Sequence, residues 1–564
     1  MFGDEARATL STVPDGGLRI SSRLLLVVLL TSFVVAWFAG LGYRKLANPD
    51  EGRYAEIARE MVASGNWTTP HLNTIKYFEK PPLQYWTTAI AYQTFGMSEW
   101  TARLWPAVTG FLGVVLTWFA GRRLFGASAG LLAAAVLSST IYYVLFGHLA
   151  TLDMGLTFFL TAAVFAFVLA QTSAAGSRQE TGWMMAAWGA AAGAVLSKGL
   201  IGVVLPGLAL AAYSLWHRDT AVWRRLHPIK GGLLFLAISA PWFVMVQTSN
   251  PEFAHFFFLH EHFDRFTSTA HRRSGAFWYF VPVLLVGLLP WTYLALEAVR
   301  DAWRTRPSPG EFGVQRFLLV WIAIVFVFFS VSGSKLPAYV LPVVPAFALL
   351  IGRRLDTLAA EQICRRVAPM LLVTGVGLFA ANEVIELMHE SQTLFPLYEN
   401  FASWMETAAV VFLVSASLFA LAARFARTGV LLLALVGLVA IQLAVTGYES
   451  LSPLKSAYAI AQEVRPYLRP GTRVFNVGRY DQSLPPYLQQ PVILVANADE
   501  LSFGLNQEPD RWLSSLEDFE NEWRAAPSAV AVMTPESYQS VLSHGLPLQV
   551  LSQDDDHVVV VKPN

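Results

Sequence analysis

Residues 23–43 read RLLLVVLLTSFVVAWFAGLGY, an apolar run that carries only Arg23 at its edge. A run of roughly 18 or more apolar residues crosses a hydrocarbon core about 30 Å thick as a helix. In lipid only helices and closed barrels satisfy their own backbone hydrogen bonds. The run is too long and too uniformly apolar for a barrel strand. No small-residue cleavage site follows it, so it is expected to be a first transmembrane helix rather than a signal peptide.

Working outward, similar runs recur at 104–121, 128–146, 154–172, 183–197, 200–216, 231–247, 276–296, 316–332, 338–352, 369–387, 404–423 and 428–447. The expected count is about thirteen spans. The chain of 564 residues is 54% hydrophobic and only 14% charged, with a mean hydropathy of +0.45, which excludes an ordinary soluble protein. Leu83–Phe95 is apolar but short and is expected to lie at the membrane interface as a helix. Its exclusion from the spans gathers the basic clusters on one side: Arg122/Arg123, Arg178, Arg218/Arg224/Arg225/Lys230, Arg300/Arg304/Arg306, Arg353/Arg354/Arg365/Arg366 and Arg424/Arg427. By the positive-inside rule that side is cytoplasmic.

The opposite loops collect carboxylates, histidines, lysines and aromatics, groups that are costly near lipid and mark a functional site. From about Tyr448 charge and proline rise. Residues 474–477, 492–496, 529–533 and 557–562 read as strands, and 456–467 and 510–524 as helices. The expected organisation is therefore a transmembrane domain over 1–447 and a soluble α/β domain over 448–564. The first carries outer juxtamembrane helices at about 44–103 and an outer loop at about 248–274. Net charge is +0 and the lone Cys364, expected in an Arg-rich loop, excludes an intramolecular disulfide. No internal repeat, P-loop, dinucleotide fingerprint or G-x-S-x-G elbow is present, so neither a nucleotide cofactor nor a nucleic-acid partner is expected.

Six outer constellations carry the candidate chemistry. Asn48-Pro49-Asp50-Glu51-Gly52-Arg53-Tyr54 precedes an amphipathic helical stretch with Tyr54, Ile57, Ala58, Met61 and Val62 on one face. Its carboxylates cap that helix or act as a base beside Arg53. Tyr77-Phe78-Glu79-Lys80-Pro81-Pro82 presents a lysine that snorkels or binds phosphate. Asp153, after His148, opens a long helix as a cap or as a site carboxylate. Lys198 and Lys335 each stand at an outer reversal. Several cations facing one surface suit an anionic lipid head group better than single interface anchors do. His260 and His262 stand two apart and diverge on a helix. A zinc site there needs a further ligand such as Glu79, and a polar network is the alternative.

In this order the motifs resemble the GT-C glycosyltransferases of the protein O-mannosyltransferase superfamily, and within it the bacterial lipid A aminoarabinose transferases. The resemblance rests on Asp50 through Met61, Tyr77-Phe78-Glu79-Lys80-Pro81, Asp153, Lys198-Gly199, Glu261-His262 with Arg265-Phe266, and Lys335-Leu336-Pro337-Ala338-Tyr339. It spans the membrane region and is weaker in the C-terminal domain. It implies a GT-C fold in the bacterial inner membrane with site and C-terminal domain facing the periplasm. The implied reaction is inverting transfer of 4-amino-4-deoxy-L-arabinose from undecaprenyl phosphate to a lipid A phosphate, a pentosyl transfer that confers resistance to cationic peptides and polymyxin. It further implies Asp50 and Asp153 as catalytic carboxylates, with Glu51 beside them. Arg53, Tyr77, Lys80, Lys198, Lys335 and Tyr339 would hold the carrier phosphate, and Glu79, His260 and His262 would bind zinc. The chain departs from the family at His260. Two other readings are a different GT-C enzyme acting on protein or glycan and a transporter of lipid-linked sugar. A transporter should carry ionisable residues near the midplane, whereas here they cluster at one boundary.

Overall fold

The computed structural model describes residues 22–218, 220–264, 275–308, 310–387 and 394–563. Every expected span falls on a helix or on a bent helix pair. Among the described residues, eight helices are long and apolar enough to cross a membrane, or ten if each of two bent pairs is one span. The chain is a multi-pass α-helical membrane protein with a C-terminal α/β domain. Leu83–Phe95 forms the separate short helix expected of it.

Two spans depart from straight rods. Residues 128–146 split into Ala127–Ser138 and Ile141–Gly147, bent by 66°. At the break the Ser139 and Thr140 hydroxyls donate to the carbonyls of Ala135 and Val136, both at 2.7 Å, which competes with continued backbone pairing. Residues 276–296 form a bent helix pair, a broken span or a re-entrant loop. Helix Phe280–Gly287 ends before Pro290, which has no N–H to extend it, and Thr292–Arg304 leaves at 111°. That second helix is amphipathic, and its Glu297 accepts from Arg354 and Arg366 at 2.9–3.1 Å. Cys364 is also corrected: it lies buried inside helix Ala360–Leu387 and not in a loop.

The C-terminal domain is built on a six-stranded mixed sheet. Its strands, after the short hairpin β1 (His71–Leu72) and β2 (Ile75–Lys76), are β3 (Arg473–Val477), β4 (Ile493–Val495), β5 (Trp512–Leu513), β6 (Ala529–Met533), β7 (Gln549–Gln553) and β8 (Val558–Val561). Their order is β5-β4-β3-β6-β8-β7. β3 runs parallel to β4 and β6, and β8 antiparallel to β6. The helix expected over 510–524 begins only at Leu516, because the Ser515 hydroxyl caps it by accepting from the Asp518 amide at 3.1 Å. Trp512–Leu513 ahead of it pairs with β4 instead. β7 is exposed and lacks the apolar run that marked its neighbours.

Both faces of this sheet are covered, which is why its central strands read as unbroken apolar runs. Phe475, Val477, Ala531, Met533, Val558 and Val560 pack on Phe519 and Trp523 of the domain itself. The alternate positions Val474, Val530, Val532, Val559 and Val561 pack with Ile57, Ala58, Met61 and Leu72 of the outer juxtamembrane segment. The helix Asp50–Ser64 is consequently buried from Glu51 to Met61 on all sides, not on the single face its amphipathic spacing suggests. Its polar side is closed by ion pairing, with Arg59 donating to Glu56 at 2.5 and 2.7 Å.

Candidate active site

Asp50 and Glu51 open the same helix and point apart, as residues about 100° apart around a helix must. Asp50 is half-exposed and accepts from Arg53 Nη1 at 3.1 Å. Glu51 turns inward. Arg103 Nε and Nη2 each donate to it at 2.7 Å, the Ala150 amide at 2.9 Å and the Ala47 amide at 3.1 Å. Burial alone would raise its pKa, but Arg103 and these donors outweigh burial and hold the carboxyl at about 2. Every acceptor site of Glu51 is engaged in joining the first outer segment to helix Glu99–Phe125. The structure thus sets Glu51 apart from the catalytic group expected for it.

Asp50, Arg53, Tyr54, Glu79, Lys80, Asp153, Lys198, Glu261 and Tyr339 line one cavity of about 340 Å³. Each cation there is matched by carboxylates. Arg53 bridges Asp50 and Glu500, the latter accepting from Arg53 Nε at 3.0 Å. Lys80 Nζ lies 2.8 Å from Glu261 and 3.7 Å from Glu79. Lys198, the last residue of its helix, pairs at 2.5 Å with Asp153, the first residue of another long helix. Its ammonium stands 5.3 Å from the Tyr339 ring centre. Apolar side chains complete the lining, Leu200, Ile201, Val204, Leu205 and the pair Phe328 and Phe329 among them. The cavity therefore combines a charged and an oily lining.

Two expected phosphate ligands do not line this cavity. Lys335 is buried and donates to the carbonyls of Ser330 and Ser332 at 3.0 and 2.7 Å, so its charge closes the C-terminal end of helix Val314–Val331. Tyr77 is buried beside the site, and its hydroxyl has no hydrogen-bond partner among the described residues. Burial raises that hydroxyl well above the usual tyrosine range, which keeps it a proton donor. Among the described residues no three His, Cys, Asp or Glu side chains come together as metal donors. The Lys80 ammonium already lies between Glu79 and Glu261, where the expected metal would need a carboxylate free. His260 stacks on Phe256 with ring centres 5.2 Å apart, and the His262 side chain lies outside the described ones. The described donors do not fit a zinc site.

Glu500 and Arg103 escaped the sequence reading. Glu500 stands in the C-terminal domain, about 450 positions from its partner Arg53, and nothing local signals that pairing. Arg103 had a signal: a fully buried arginine in the first turns of a long apolar helix demands a carboxylate.

Comparison with known proteins agrees with this architecture. The family described as dolichyl-phosphate-mannose-protein mannosyltransferase matches residues 22–257, and the aminoarabinose transferase C-terminal domain matches residues 460–562. The undecaprenyl phosphate-alpha-4-amino-4-deoxy-L-arabinose arabinosyl transferase of Erwinia tasmaniensis is 32% identical over 63% of this chain; the match spans 63% of that protein, less than two thirds of its length. A protein of the same description from Pseudomonas fluorescens is 34% identical over 68% of this chain and 71% of its own. The crystal structure of ArnT from Cupriavidus metallidurans bound to undecaprenyl phosphate superposes with a TM-score of 0.90 at 36% identity, covering 96% of this chain and 98% of that one. With both ends of the chain matched and the whole fold shared, the protein belongs to the undecaprenyl phosphate-aminoarabinose arabinosyl transferase family.

Proposed function

We propose that the chain moves 4-amino-4-deoxy-L-arabinose from undecaprenyl phosphate to a phosphate of lipid A, at the periplasmic face of a bacterial inner membrane. The observation that carries this is the mixed lining of the cavity: Arg53, Lys80 and Lys198 together with aliphatic and aromatic side chains. That is the complement of a polyprenyl phosphate, whose head is anionic and whose tail belongs in lipid.

The donor is a phosphodiester with one negative charge. An acceptor phosphate oxygen bonds to the anomeric carbon from the face opposite the carrier. The bond from that carbon to the carrier oxygen breaks, and undecaprenyl phosphate leaves as a dianion. The acceptor, a dianion before transfer, becomes a monoanionic diester, so charge balances with no proton moved. Cations at the leaving group are the main requirement. Arg53, Lys80 and Lys198 supply them, each drawn from the carboxylate that holds it in the free protein. The carboxylates released, Asp50 and Asp153, then face the positive charge that develops on the sugar and the sugar's own ammonium. Asp50 in this scheme orients the sugar and is not required as a base.

The match of residues 22–257 to mannosyltransferases favours a second reading, mannose transfer to a protein hydroxyl. The aminoarabinose-type C-terminal domain, packed directly on the Asp50 helix, favours the first. The test is reconstitution of the purified protein with the aminoarabinose carrier lipid and lipid A. A mass increment of one aminoarabinose on lipid A is expected. Transfer to a peptide hydroxyl, with lipid A unchanged, would establish the second reading.

A further inference from the structure

A separate cavity, of about 480 Å³, shares no lining residue with the first. It lies toward the C-terminal end of helix Glu99–Phe125, away from Arg103 and the active site. Four helices wall it: Ser22–Phe38 through Leu29 and Phe33, Glu99–Phe125 through Phe111 and Trp118, Ala127–Ser138 through Leu131, and Ala426–Gly447 through Leu435. Ala134, Ala135 and Ala434 complete the lining, and side chains that small leave the space open. Leu30, Val34 and Val115 in the same lining are exposed, so the cavity opens sideways toward lipid.

The first helix is tied to Glu99–Phe125 near its own C-terminal end. There Trp37 Nε1 donates to the Ala107 carbonyl at 2.8 Å, and Phe33 and Phe38 lie 5.9 and 5.6 Å from Phe111 between ring centres. Toward Arg122 the cavity stands between the two helices. From Phe111 to Arg122 the helix rises about 16 Å, about half of a hydrocarbon core roughly 30 Å thick. The cavity thus has the depth of one leaflet. Arg122, in the last turn of the helix, is the single charged residue in the lining. Its guanidinium stands 5.7 Å from the ring centre of Trp118, another lining residue, which holds the cation at the cavity. It is exposed, and among the described residues no carboxylate pairs with it. A basic anchor at the cytoplasmic edge accounts for the charge but not for the cavity. Arg123 is such an anchor: also exposed, it lies against Phe119 and lines no part of this cavity.

We propose that this cavity is a binding site for one anionic glycerophospholipid of the leaflet next to the basic loops, with an acyl chain between the helices and the phosphate on Arg122. The unpaired guanidinium selects an anionic head over a zwitterionic one. The leaflet-deep apolar wall selects a lipid over free phosphate. Bound there, the lipid fills the open side of helix Ser22–Phe38, whose other end carries Trp37 and leads toward Asp50. The site is independent of the sugar transfer and of the carrier cavity.

Direct binding tests the site. Full-length protein in detergent is titrated with phosphatidylglycerol, phosphatidylcholine and undecaprenyl phosphate, with native mass spectrometry as readout. Wild type is expected to hold one phosphatidylglycerol about fivefold more tightly than phosphatidylcholine. Arg122→Gln should remove that preference by weakening phosphatidylglycerol about fivefold, while Arg123→Gln changes it less than twofold. Ala134→Trp, which fills the cavity, should weaken both phospholipids about tenfold or more. Undecaprenyl phosphate binding stays unchanged in all three variants. Arg122 and Arg123 are both exposed and their loss leaves the core intact, so that pair decides the matter even where Ala134→Trp fails to fold. Equal weakening by Arg122→Gln and Arg123→Gln overturns the proposal, because the lipid is then held by general surface charge. So does equal affinity of wild type for the two phospholipids, or unchanged phosphatidylglycerol binding in a folded Ala134→Trp. Loss of undecaprenyl phosphate in that variant would make the cavity a carrier site, and a dimer that it dissociates would make it a contact between copies; either result overturns the phospholipid assignment.

Discussion

The contact between Gly52 and the C-terminal domain offers the most direct test of how the two parts of the protein are coupled. A Cβ built on Gly52 would lie 2.6 Å from the Ser483 Cα and 2.7 Å from the Gln482 carbonyl carbon, and closer still to the Ser483 amide nitrogen. These are backbone atoms, with no rotamer available to clear the way. Ordinary contact begins near 3.4 Å, so in Gly52→Ala the 482–483 segment must retreat by about 1 Å. That segment is tied to the same strand of chain it would be pushed from: the Ser483 amide donates to Asn48 Oδ1 at 2.7 Å, and the Ser483 hydroxyl accepts from the Ala457 amide at 2.8 Å. Overpacking costs about 1–3 kcal/mol and a broken buried hydrogen bond about 1 kcal/mol more. Gln482 also holds Glu500, at 3.1 Å, and Glu500 holds Arg53. The displacement therefore reaches the cavity. Gly52→Ala is expected to lower the melting temperature in detergent by several degrees and to raise the apparent KM for the carrier-linked sugar more than it lowers kcat. A variant with wild-type melting and wild-type donor KM would refute the claim that the C-terminal domain seats on Gly52 and through it positions Arg53.

Five further outcomes are expected. Asp50→Asn should abolish transfer while the protein inserts and still binds undecaprenyl phosphate, and full turnover would remove Asp50 from the chemistry. Glu51→Gln leaves the Arg103 guanidinium buried without its counter-charge and should cost about 3–5 kcal/mol, seen as loss of folded protein on size exclusion. The same carboxyl makes wild type acid-sensitive: held at about 2 when folded and near 4.5 when unfolded, it contributes about 3 kcal/mol above pH 4.5, lost as the pH falls toward 2, which acid titration of wild type followed by tryptophan fluorescence measures. Glu500→Gln should raise donor KM about threefold to tenfold with little change in melting, whereas Lys335→Met should lower melting and leave donor KM alone, because one residue holds a cavity cation and the other a helix end.

The membrane fold was legible because its signal is repeated and local. Each apolar run had to be helical, and each became a helix or a bent pair of helices; even the bend at Ser139-Thr140 and the break at Pro290 are written as hydroxyls and a proline in otherwise apolar stretches. The carboxylates and cations of the cavity were legible for a related reason: charge at the edge of a lipid-embedded run is too costly to be idle. What such a reading cannot separate is a charge that faces the cavity from one that faces the fold. Lys335 and Lys198 look alike in sequence, each beside a tight reversal. One ends up on main-chain carbonyls and the other on Asp153. Asp50 and Glu51 differ only by the turn of one helix. Their separation depends on Arg103, whose partner could be found only by folding the chain. The strands β5 and β7 were hidden because a two-residue or exposed strand is defined by its neighbour and not by its own pattern.

The division of labour between Asp50 and Glu51 has a mechanical consequence. Glu51 fixes the start of the outer helix to Arg103 and to the Ala150 amide, just ahead of Asp153. Since Asp153 in turn begins the next long helix and holds Lys198, a single buried carboxylate sets the distance between two of the carboxylates that face the cavity, Asp50 and Asp153. Rigidity there is useful, because a displacement reaction tolerates little error in the approach of its two partners. Mobility is needed instead at Arg53, which must pass from Asp50 and Glu500 to a phosphate. Its second partner comes from the C-terminal domain, whose sheet lies on that same helix. The domain thus touches the chemistry through Arg53, one of the three cations whose attachment has to change, while Glu51 and Arg103 hold the start of the helix in place.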